Sequence, residues 1–180
     1  MIDWNVVVTI QEHGFNQARE FLQKFGKLNK TEYFNVLVIQ VAEIGAFLET
    51  VKSAITEHPA ILECIARIMP VTNVFKFQTP LEFEEKAKAI VLGWLTELAG
   101  KRFHVRMHRR GFKGQLSSQI EERFLDSVIL KSLVQQSQAA PIIDFDDPDY
   151  IIAVETVGQI AGFALWSREQ LQQYPFLRID

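Results

Sequence analysis

Strand-like and helix-like hydrophobic patterns alternate through residues 4–71, and their order restricts the possible folds more than any other feature of the chain. A near-continuous β-branched run is typical of a strand buried on both faces, whereas apolar residues three or four apart are typical of a helix. In order, the patterns predict a strand at 4–10, a helix at 18–25, two strands within 27–41, a helix at 44–55 and a strand at 61–71. The order β-α-β-β-α-β is that of a ferredoxin-like fold.

We therefore predict an α+β protein with two domains. The N-terminal domain, of ferredoxin-like βαββαβ order, covers residues 1–75, and the second α/β domain covers residues 76–180. Polar residues and a proline within residues 70–78 make this stretch the best position for a linker. Near the end of the second domain, two apolar runs joined by Gly-Gln at residues 158–159 predict a β-hairpin.

Capping signals locate two helices in the second domain. Thr79 and Glu82 form a capping box that opens a helix, and Gly100 closes it. Ser118 and Glu121 form a second capping box, which opens the next helix.

Basic residues are concentrated in residues 101–113, which read KRFHVRMHRRGFK. This stretch holds six of the nineteen Lys and Arg residues and no Asp or Glu, although the chain has a net charge of −3. A solvated face normally mixes both signs of charge. A compact cationic patch on an acidic chain instead indicates a site for a polyanion.

Apolar and polar side chains alternate along this stretch: Phe103, Val105 and Met107 against His104, Arg106 and His108. A period of two predicts a strand that buries one face and presents imidazole and guanidinium groups on the other. Two interpretations of the histidines remain open: hydrogen-bonded surface groups, or groups that stack on a base or pair with phosphate. Four residues of strand between them disfavour a shared metal ion.

The residues that follow the strand extend the predicted anion site. Arg109 and Arg110 end the strand, a loop with two glycines contains Lys113, and Ser117 and Ser118 open the next helix. Exposed backbone N–H groups and the positive end of the helix dipole favour an anion at a helix N-terminus. Strand, loop and helix can therefore converge on the same phosphates.

An acidic run, DFDDPD at residues 144–149, raises the possibility of a metal site. Residues 144–155 have the length of an EF-hand loop, but Pro148 takes a ligand position and Asp149 replaces the glycine that the loop needs. We interpret the run as a turn whose Asp side chains accept hydrogen bonds from nearby backbone N–H groups. No metal is expected.

Composition excludes several classes of protein. The lone Cys64 excludes an internal disulfide and a cysteine-based zinc site. The N-terminus lacks the basic region of a secretory signal, and no uncharged apolar run is long enough to cross a bilayer, so we expect a cytoplasmic protein. Phosphate-loop, dinucleotide, nucleophile-elbow and zinc-protease motifs are absent. No cofactor or catalytic residue is predicted.

Four segments in succession resemble those of THUMP proteins. The part that resembles the THUMP domain itself covers residues from about 78 to 167, and the first segment lies just before it. The four segments are RIMPV at 67–71, FHVRMHRRG at 103–111, SSQIEERFLDSVI at 117–129 and IDFDDPDYIIAVE at 143–155. The order of the basic strand, the aspartate–proline–aspartate turn and the following V-E is more specific than any one segment. Asp126 stands where the family commonly has glycine, and Asp147 where it commonly has asparagine.

The resemblance implies an RNA-binding module of tRNA-modification enzymes that binds the acceptor stem and 3′ end of tRNA. A ferredoxin-like domain before the module is the family's usual arrangement. The residues expected to bind RNA are Lys101, Arg102, Arg106, His108, Arg109, Arg110, Lys113, Ser117, Ser118 and Arg123.

Because no segment large enough for a catalytic domain follows the resemblance, the sequence predicts a non-catalytic adaptor. It would present tRNA to a separate modification enzyme. The alternative is a protein-interaction or regulatory module with a ferredoxin-like domain and no RNA role. A small RNA-modifying enzyme that uses His104 or His108 ranks lowest.

Overall fold

The computed structural model describes residues 4–179, which form two compact units. The first unit comprises the residues up to Val71 together with those from Leu171 onward, and the second runs from Thr72 to Gln170. The sequence pattern, in contrast, assigns the C-terminal residues to the second domain. Among residues 4–179, no helix combines the length and apolar character that crossing a membrane requires.

The first unit contains four strands and three helices among its described residues up to Val71. They are β1 (Val6–Ile10), α1 (Phe15–Leu22), β2 (Lys27–Lys30), β3 (Val36–Gln40), α2 (Ile44–Glu57), α3 (Ile61–Cys64) and β4 (Ile65–Pro70). The sheet has the order β2-β3-β1-β4, and all neighbouring strands are antiparallel. Val6, Val7 and Val8 are all buried on the central strand β1, as the β-branched run predicts.

The predicted strand at residues 61–71 is wrong at its start, because residues 61–64 form the short helix α3. Two backbone bonds form its first turn, from the Ile61 N–H to the His58 carbonyl and from the Leu62 N–H to the Pro59 carbonyl, both 3.1 Å. Strand pairing with β1 begins only at Ile65. A short apolar run does not by itself distinguish a helical turn from a strand.

The C-terminal residues cover the edge strand β4. A 3-10 turn at Pro175–Leu177 packs against β4, and Phe176 and Leu177 are buried there. The Arg178 guanidinium donates to the Ala66 carbonyl at 3.3 Å, and the Tyr174 hydroxyl donates to the Glu49 carboxylate on α2. Covering an edge strand removes a template for pairing with other chains.

Leu177→Ala should destabilise the first unit by about 3 kcal/mol, because it leaves a cavity beside β4. Urea unfolding followed by circular dichroism measures the change. Gln172→Ala, at an exposed position of the same segment, should change the free energy of unfolding by less than about 0.5 kcal/mol. Equal effects of the two substitutions would show that the segment does not pack on β4.

The second unit is built on a five-stranded mixed sheet. Its elements are β5 (Asn73–Lys76), α4 (Pro80–Leu92), α5 (Leu95–Leu98), β6 (Arg102–His108), α6 (Ser118–Gln135), β7 (Ile142–Ile143), β8 (Tyr150–Val157) and β9 (Ile160–Ser167), followed by α7 (Arg168–Gln173). The strand order is β5-β9-β8-β6-β7. Strand β6 runs parallel to both β7 and β8, whereas β9 is antiparallel to β8 and β5.

A single hydrophobic core holds α4 and α6 against the sheet. Phe83 of α4, Leu125 and Ile129 of α6 and Phe103 of β6 are fully buried in it, together with Phe163 of β9. The predicted hairpin at residues 158–159 is confirmed, because Val157 pairs with Ile160. The core therefore fixes which face of β6 is available outside it.

Three local predictions in this unit need correction. The helix from Thr79 does not run unbroken to Gly100: α4 ends at Leu92, and α5 follows after Gly93. The linker at residues 70–78 contains the edge strand β5, which pairs with β9. Ser117, and not Ser118, is the N-cap of α6.

The capping box at Thr79 is confirmed in part. The Thr79 hydroxyl accepts a hydrogen bond from the Glu82 N–H at 3.1 Å, while the Glu82 carboxylate accepts from the Gln78 N–H at 2.8 Å, one residue before the cap. The second predicted box fails because Ser117 is the N-cap, so Ile120 and not Glu121 occupies the third helical position, and Glu121 is buried against α4. With two sheets and seven α-helices in residues 4–179, the protein has a mixed α/β architecture that agrees with the predicted α+β THUMP-like fold.

Candidate nucleic-acid interface

Strand β6 buries one face and leaves the other face partly accessible. Phe103, Val105 and Met107 lie in the core, which confirms the predicted apolar face. On the opposite face Arg106 is exposed, but His104 is only 2% exposed. The His104 Nδ1 lies 3.1 Å from the Asp144 carbonyl oxygen, and the ring packs against Phe145. The prediction of two accessible imidazoles is therefore wrong for His104.

At the amino end of β6, Arg102 is held by the acidic turn that precedes β8. Its Nη1 lies 2.6 Å from Asp147 Oδ2, its Nη2 lies 3.4 Å from Asp149 Oδ1, and its backbone N–H donates to Asp149 Oδ2 at 2.9 Å. Arg168 binds the same two carboxylates from the start of α7. These four residues form the amino-end cluster: Arg102, Asp147, Asp149 and Arg168.

The acidic turn itself is organised by Asp144, as the sequence predicts. One carboxylate oxygen of Asp144 accepts hydrogen bonds from the N–H groups of Asp146 and Asp147, at 2.9 and 3.0 Å. These two bonds lower the pKa of Asp144 below its usual value. No group of three or more potential ligands is placed to hold a metal ion in residues 4–179.

At the carboxyl end of β6, the buried Glu155 of β8 binds two of the basic residues. Arg110 Nη1 lies 2.5 Å from Glu155 Oε2, and His108 Nδ1 lies 3.4 Å from Glu155 Oε1. The Arg110 N–H also donates to the Thr156 hydroxyl at 2.9 Å. Because a buried carboxylate requires a partner, Arg110 has a structural role in this strand pair.

The loop after β6 leads into an open cavity of about 390 Å³ at the start of α6, lined by Arg109 and by residues 114–120. Gly111 and Gly114 have positive φ values of 92° and 82°, which a glycine adopts without strain. Ser117 caps the helix, and its hydroxyl accepts from the Ile120 N–H at 3.5 Å. We use the name carboxyl-end cluster for the five residues at this end of β6 and at the start of α6: His108, Arg109, Arg110, Ser117 and Ser118.

Most of the sequence-predicted residues lie near one or the other end of β6, whereas Arg106 lies in the middle of the strand and Arg123 on α6. Arg102 and His108 are six residues apart on one strand, which corresponds to roughly 20 Å. The expected convergence holds for Arg109, Ser117 and Ser118, which line one cavity. Arg102 lies at the other end of the strand, next to the acidic turn. Lys101, Lys113 and Arg123 are exposed.

Sequence reasoning missed Arg168 and the role of Glu155. Arg168 follows β9, and its N–H donates to the Asp149 carbonyl at 2.9 Å because Ser167 pairs with Tyr150. Its position beside Arg102 also requires the pairing of β8 with β6, two strands that are more than forty residues apart in the sequence. No local pattern contains that information.

Two carboxyl groups on α6 are shifted toward their neutral forms. Burial, with a further contribution from the Glu84 carboxyl on α4, raises the pKa of Glu121 to about 7. Burial beside Glu122 raises the pKa of Asp126 to about 6. Helix α6 therefore carries less negative charge near neutral pH than its sequence suggests.

Glu121→Gln should make the free energy of unfolding less sensitive to rising pH. The folded-state pKa of Glu121 lies above its ordinary value of 4.5, so the folded chain binds more protons between these values. The corresponding stability is present below pH 4.5 and is lost as the pH rises through about 7. We expect the variant to be about 2 kcal/mol more stable than the wild type at pH 8 and nearly equal at pH 4.

Chemical denaturation at the two pH values measures this difference. Glu85→Gln is the matched control, because it removes one carboxylate from an exposed position of α4. The control should show no pH-dependent gain. A Glu121→Gln variant that is equally stabilised at both pH values would contradict the assignment.

Several solved structures share this fold at low sequence identity. PH1313 from Pyrococcus horikoshii Ot3 is 13% identical, with a TM-score of 0.60 over 90% of this chain and 54% of that chain. TrmN from Thermus thermophilus is 16% identical, with a TM-score of 0.60 over 90% of this chain and 44% of that chain. A 4-thiouridine synthetase in complex with RNA and bound ATP is 14% identical, with a TM-score of 0.52 over 90% of this chain and 41% of that chain.

These similarities show a common fold, and the chain spans about half or less of the length of each of the three proteins. No protein-family model and no curated protein matches the chain.

The prediction of a non-catalytic protein is wrong. The fold also matches a possible methylase from Clostridium difficile 630, 17% identical, with a TM-score of 0.54 over 89% of this chain and 40% of that chain. Together with the synthetase, this structure shows the fold inside longer chains that are named as enzymes. The prediction depended on the shortness of the segment after residue 167. That length does not exclude a catalytic protein, because chains that are named as enzymes contain the same fold.

Proposed function

We propose that this chain binds RNA, and specifically the acceptor stem and 3′ end of tRNA, and that it presents this end for chemical modification. The observation that carries the proposal is the carboxyl-end cluster, where Arg109 and the N-terminus of an 18-residue helix line one open cavity. Backbone N–H groups at a helix N-terminus and an adjacent guanidinium are a recurrent combination for phosphate.

The charge distribution supports RNA over a small anion. Six basic residues and no acidic residue occupy residues 101–113, and Arg123 adds a further exposed cation on α6. Exposed cations spread over a strand, a loop and a helix suit a chain of phosphates better than a single one. The raised pKa of Glu121 reduces the opposing charge on that helix near neutral pH.

The basic residues have different roles in this proposal. Arg106, Lys113 and Arg123 are exposed and would contact phosphates directly. Arg110 instead holds the buried Glu155 and keeps the end of β6 in place. His108 shares that carboxylate and would contact RNA with the remaining edge of its ring.

We assign the first unit to the ferredoxin-like class and the second to the THUMP class. The antiparallel order β2-β3-β1-β4 supports the first assignment, since β3 lies between the two strands of the first βαβ half and β1 between those of the second, as split βαβ units require. The second is supported by the sequence resemblance and by the fold shared with the 4-thiouridine synthetase–RNA complex.

The first experiment compares tRNA binding by the wild type and by Arg106→Ala/Lys113→Ala/Arg123→Ala. In fluorescence anisotropy with deacylated tRNA, the triple variant should bind at least tenfold more weakly at 0.1 M salt. It should also lower the slope of log affinity against log salt by about two to three, because each lost phosphate contact removes about 0.7–0.9.

Lys24→Ala/Lys27→Ala/Lys88→Ala is a charge-matched control made of exposed lysines outside residues 101–113. It should retain most of the affinity and the slope. Wild-type protein that fails to bind tRNA, or binding that depends equally on both triple variants, would refute the proposed function.

Competition with RNA fragments tests the preference for the tRNA end. An acceptor-stem minihelix with a single-stranded 3′ end should displace labelled tRNA at concentrations similar to those of intact tRNA. A hairpin of equal length without the 3′ overhang should compete at least tenfold less well. Equal competition would limit the proposal to general RNA binding.

A further inference from the structure

Two arginines from distant parts of the chain converge on the acidic turn at residues 144–149. Arg102 begins β6 and Arg168 begins α7, 66 positions later in the chain. Both guanidinium groups bind Asp147, and both also bind Asp149 Oδ1, at 3.4 Å from Arg102 Nη2 and 3.2 Å from Arg168 Nη2. Two guanidinium groups directed at one carboxylate have the donor arrangement that also recognises a phosphate.

Of the two carboxylates, Asp149 is the anchored one. Its Oδ2 accepts the Arg102 backbone N–H at 2.9 Å, and its side chain is 32% exposed. This backbone bond, with the two arginines, lowers the pKa of Asp149. Asp149 would therefore keep the two guanidinium groups in place if the other carboxylate moved away.

Asp147 is the more easily displaced of the two. Its side chain is 57% exposed, and its carboxylate accepts hydrogen bonds from the Arg102 and Arg168 guanidinium groups. Ion pairs at such exposed positions contribute little stability. A phosphate group of a bound polyanion could therefore replace this carboxylate at small cost.

We propose that Arg102 and Arg168 form a second phosphate-binding fork for the RNA backbone, and that Asp147 occupies the fork as an internal competitor until RNA displaces it. This inference rests on the proposed function. It adds Arg168 to the interface and assigns an inhibitory role to Asp147, which stands where the resembling family commonly has asparagine.

The spacing of the two clusters suits a single RNA. The fork lies roughly 20 Å along β6 from the carboxyl-end cluster. A duplex strand that advances about 3.4 Å per phosphate, the value for DNA, places about six phosphates along that distance. One stem could therefore contact both ends of the strand at once.

The test compares Asp147→Asn with Asp146→Asn in anisotropy titrations of deacylated tRNA. The two variants change the net charge equally at adjacent exposed positions, but of these two aspartates it is Asp147 that binds Arg102 and Arg168. Asp147→Asn should bind about fivefold more tightly than Asp146→Asn at the same ionic strength. Asp147→Ala should show the same gain.

Substitution of Arg168 tests the fork directly. Arg168→Ala should weaken tRNA binding about fivefold and lower the salt slope by about one, and Arg168→Lys should fall between it and the wild type. In an Arg168→Ala background, Asp147→Asn should increase affinity less than it does in the wild type, because only Arg102 remains to be freed. Thermal unfolding identifies any variant that loses its fold. Asp147→Asn then remains decisive, because its expected effect is a gain in tRNA affinity, which an unfolded variant would not show.

Equal affinities of Asp147→Asn and Asp146→Asn, with Arg168→Ala unchanged, would refute the fork while leaving the proposed function intact. A gain by Asp147→Asn for polyglutamate but not for tRNA would also refute it, because the fork would then bind acidic protein surfaces. Absence of tRNA binding by the wild type would instead refute the proposed function itself.

Discussion

The parallel pairing of β6 with β8 determines the positions of the ion pairs at both ends of β6. In this register Phe103 lies opposite Tyr150, and His108 lies opposite Glu155. One end of the pair therefore brings Arg102 to the acidic turn, and the other brings His108 and Arg110 to a buried carboxylate. A shift of one residue would turn every side chain of β6 to the opposite face and separate both sets of partners.

This pairing also explains why a stretch with six basic residues does not form one uniform cationic surface. Some of its charge is neutralised within the protein: Arg102 by two aspartates and Arg110 by Glu155. The cations that remain exposed are carried by the middle of β6, the loop and α6. In the functional proposal, these exposed groups supply the affinity for phosphate. Arg110 maintains the geometry of the strand end, and Arg102 becomes available to phosphate when Asp147 is displaced.

Sequence reasoning was accurate where local chemistry decides the structure. The alternation of Phe103, Val105 and Met107 identified the buried face of β6, and Thr79 identified the start of α4. It was wrong where a distant contact overrides a local preference. Glu121 lies three residues after Ser118, as the predicted capping box requires, but Ser117 caps the helix, and packing of α6 on α4 buries Glu121 beside Glu84. Phe145 likewise covers His104.

The sequence by itself determined the order of the elements, the concentration of basic residues and the apolar face of β6, because these depend on periodicity and composition within short segments. Only the tertiary structure decided which basic residues are paired and which are exposed. Those partners, Asp149 for Arg102 and Glu155 for Arg110, lie more than forty positions away in the chain. Strand order and register bring them together, and the physical reason is that ion pairs and burial depend on distance in space and not on distance along the sequence.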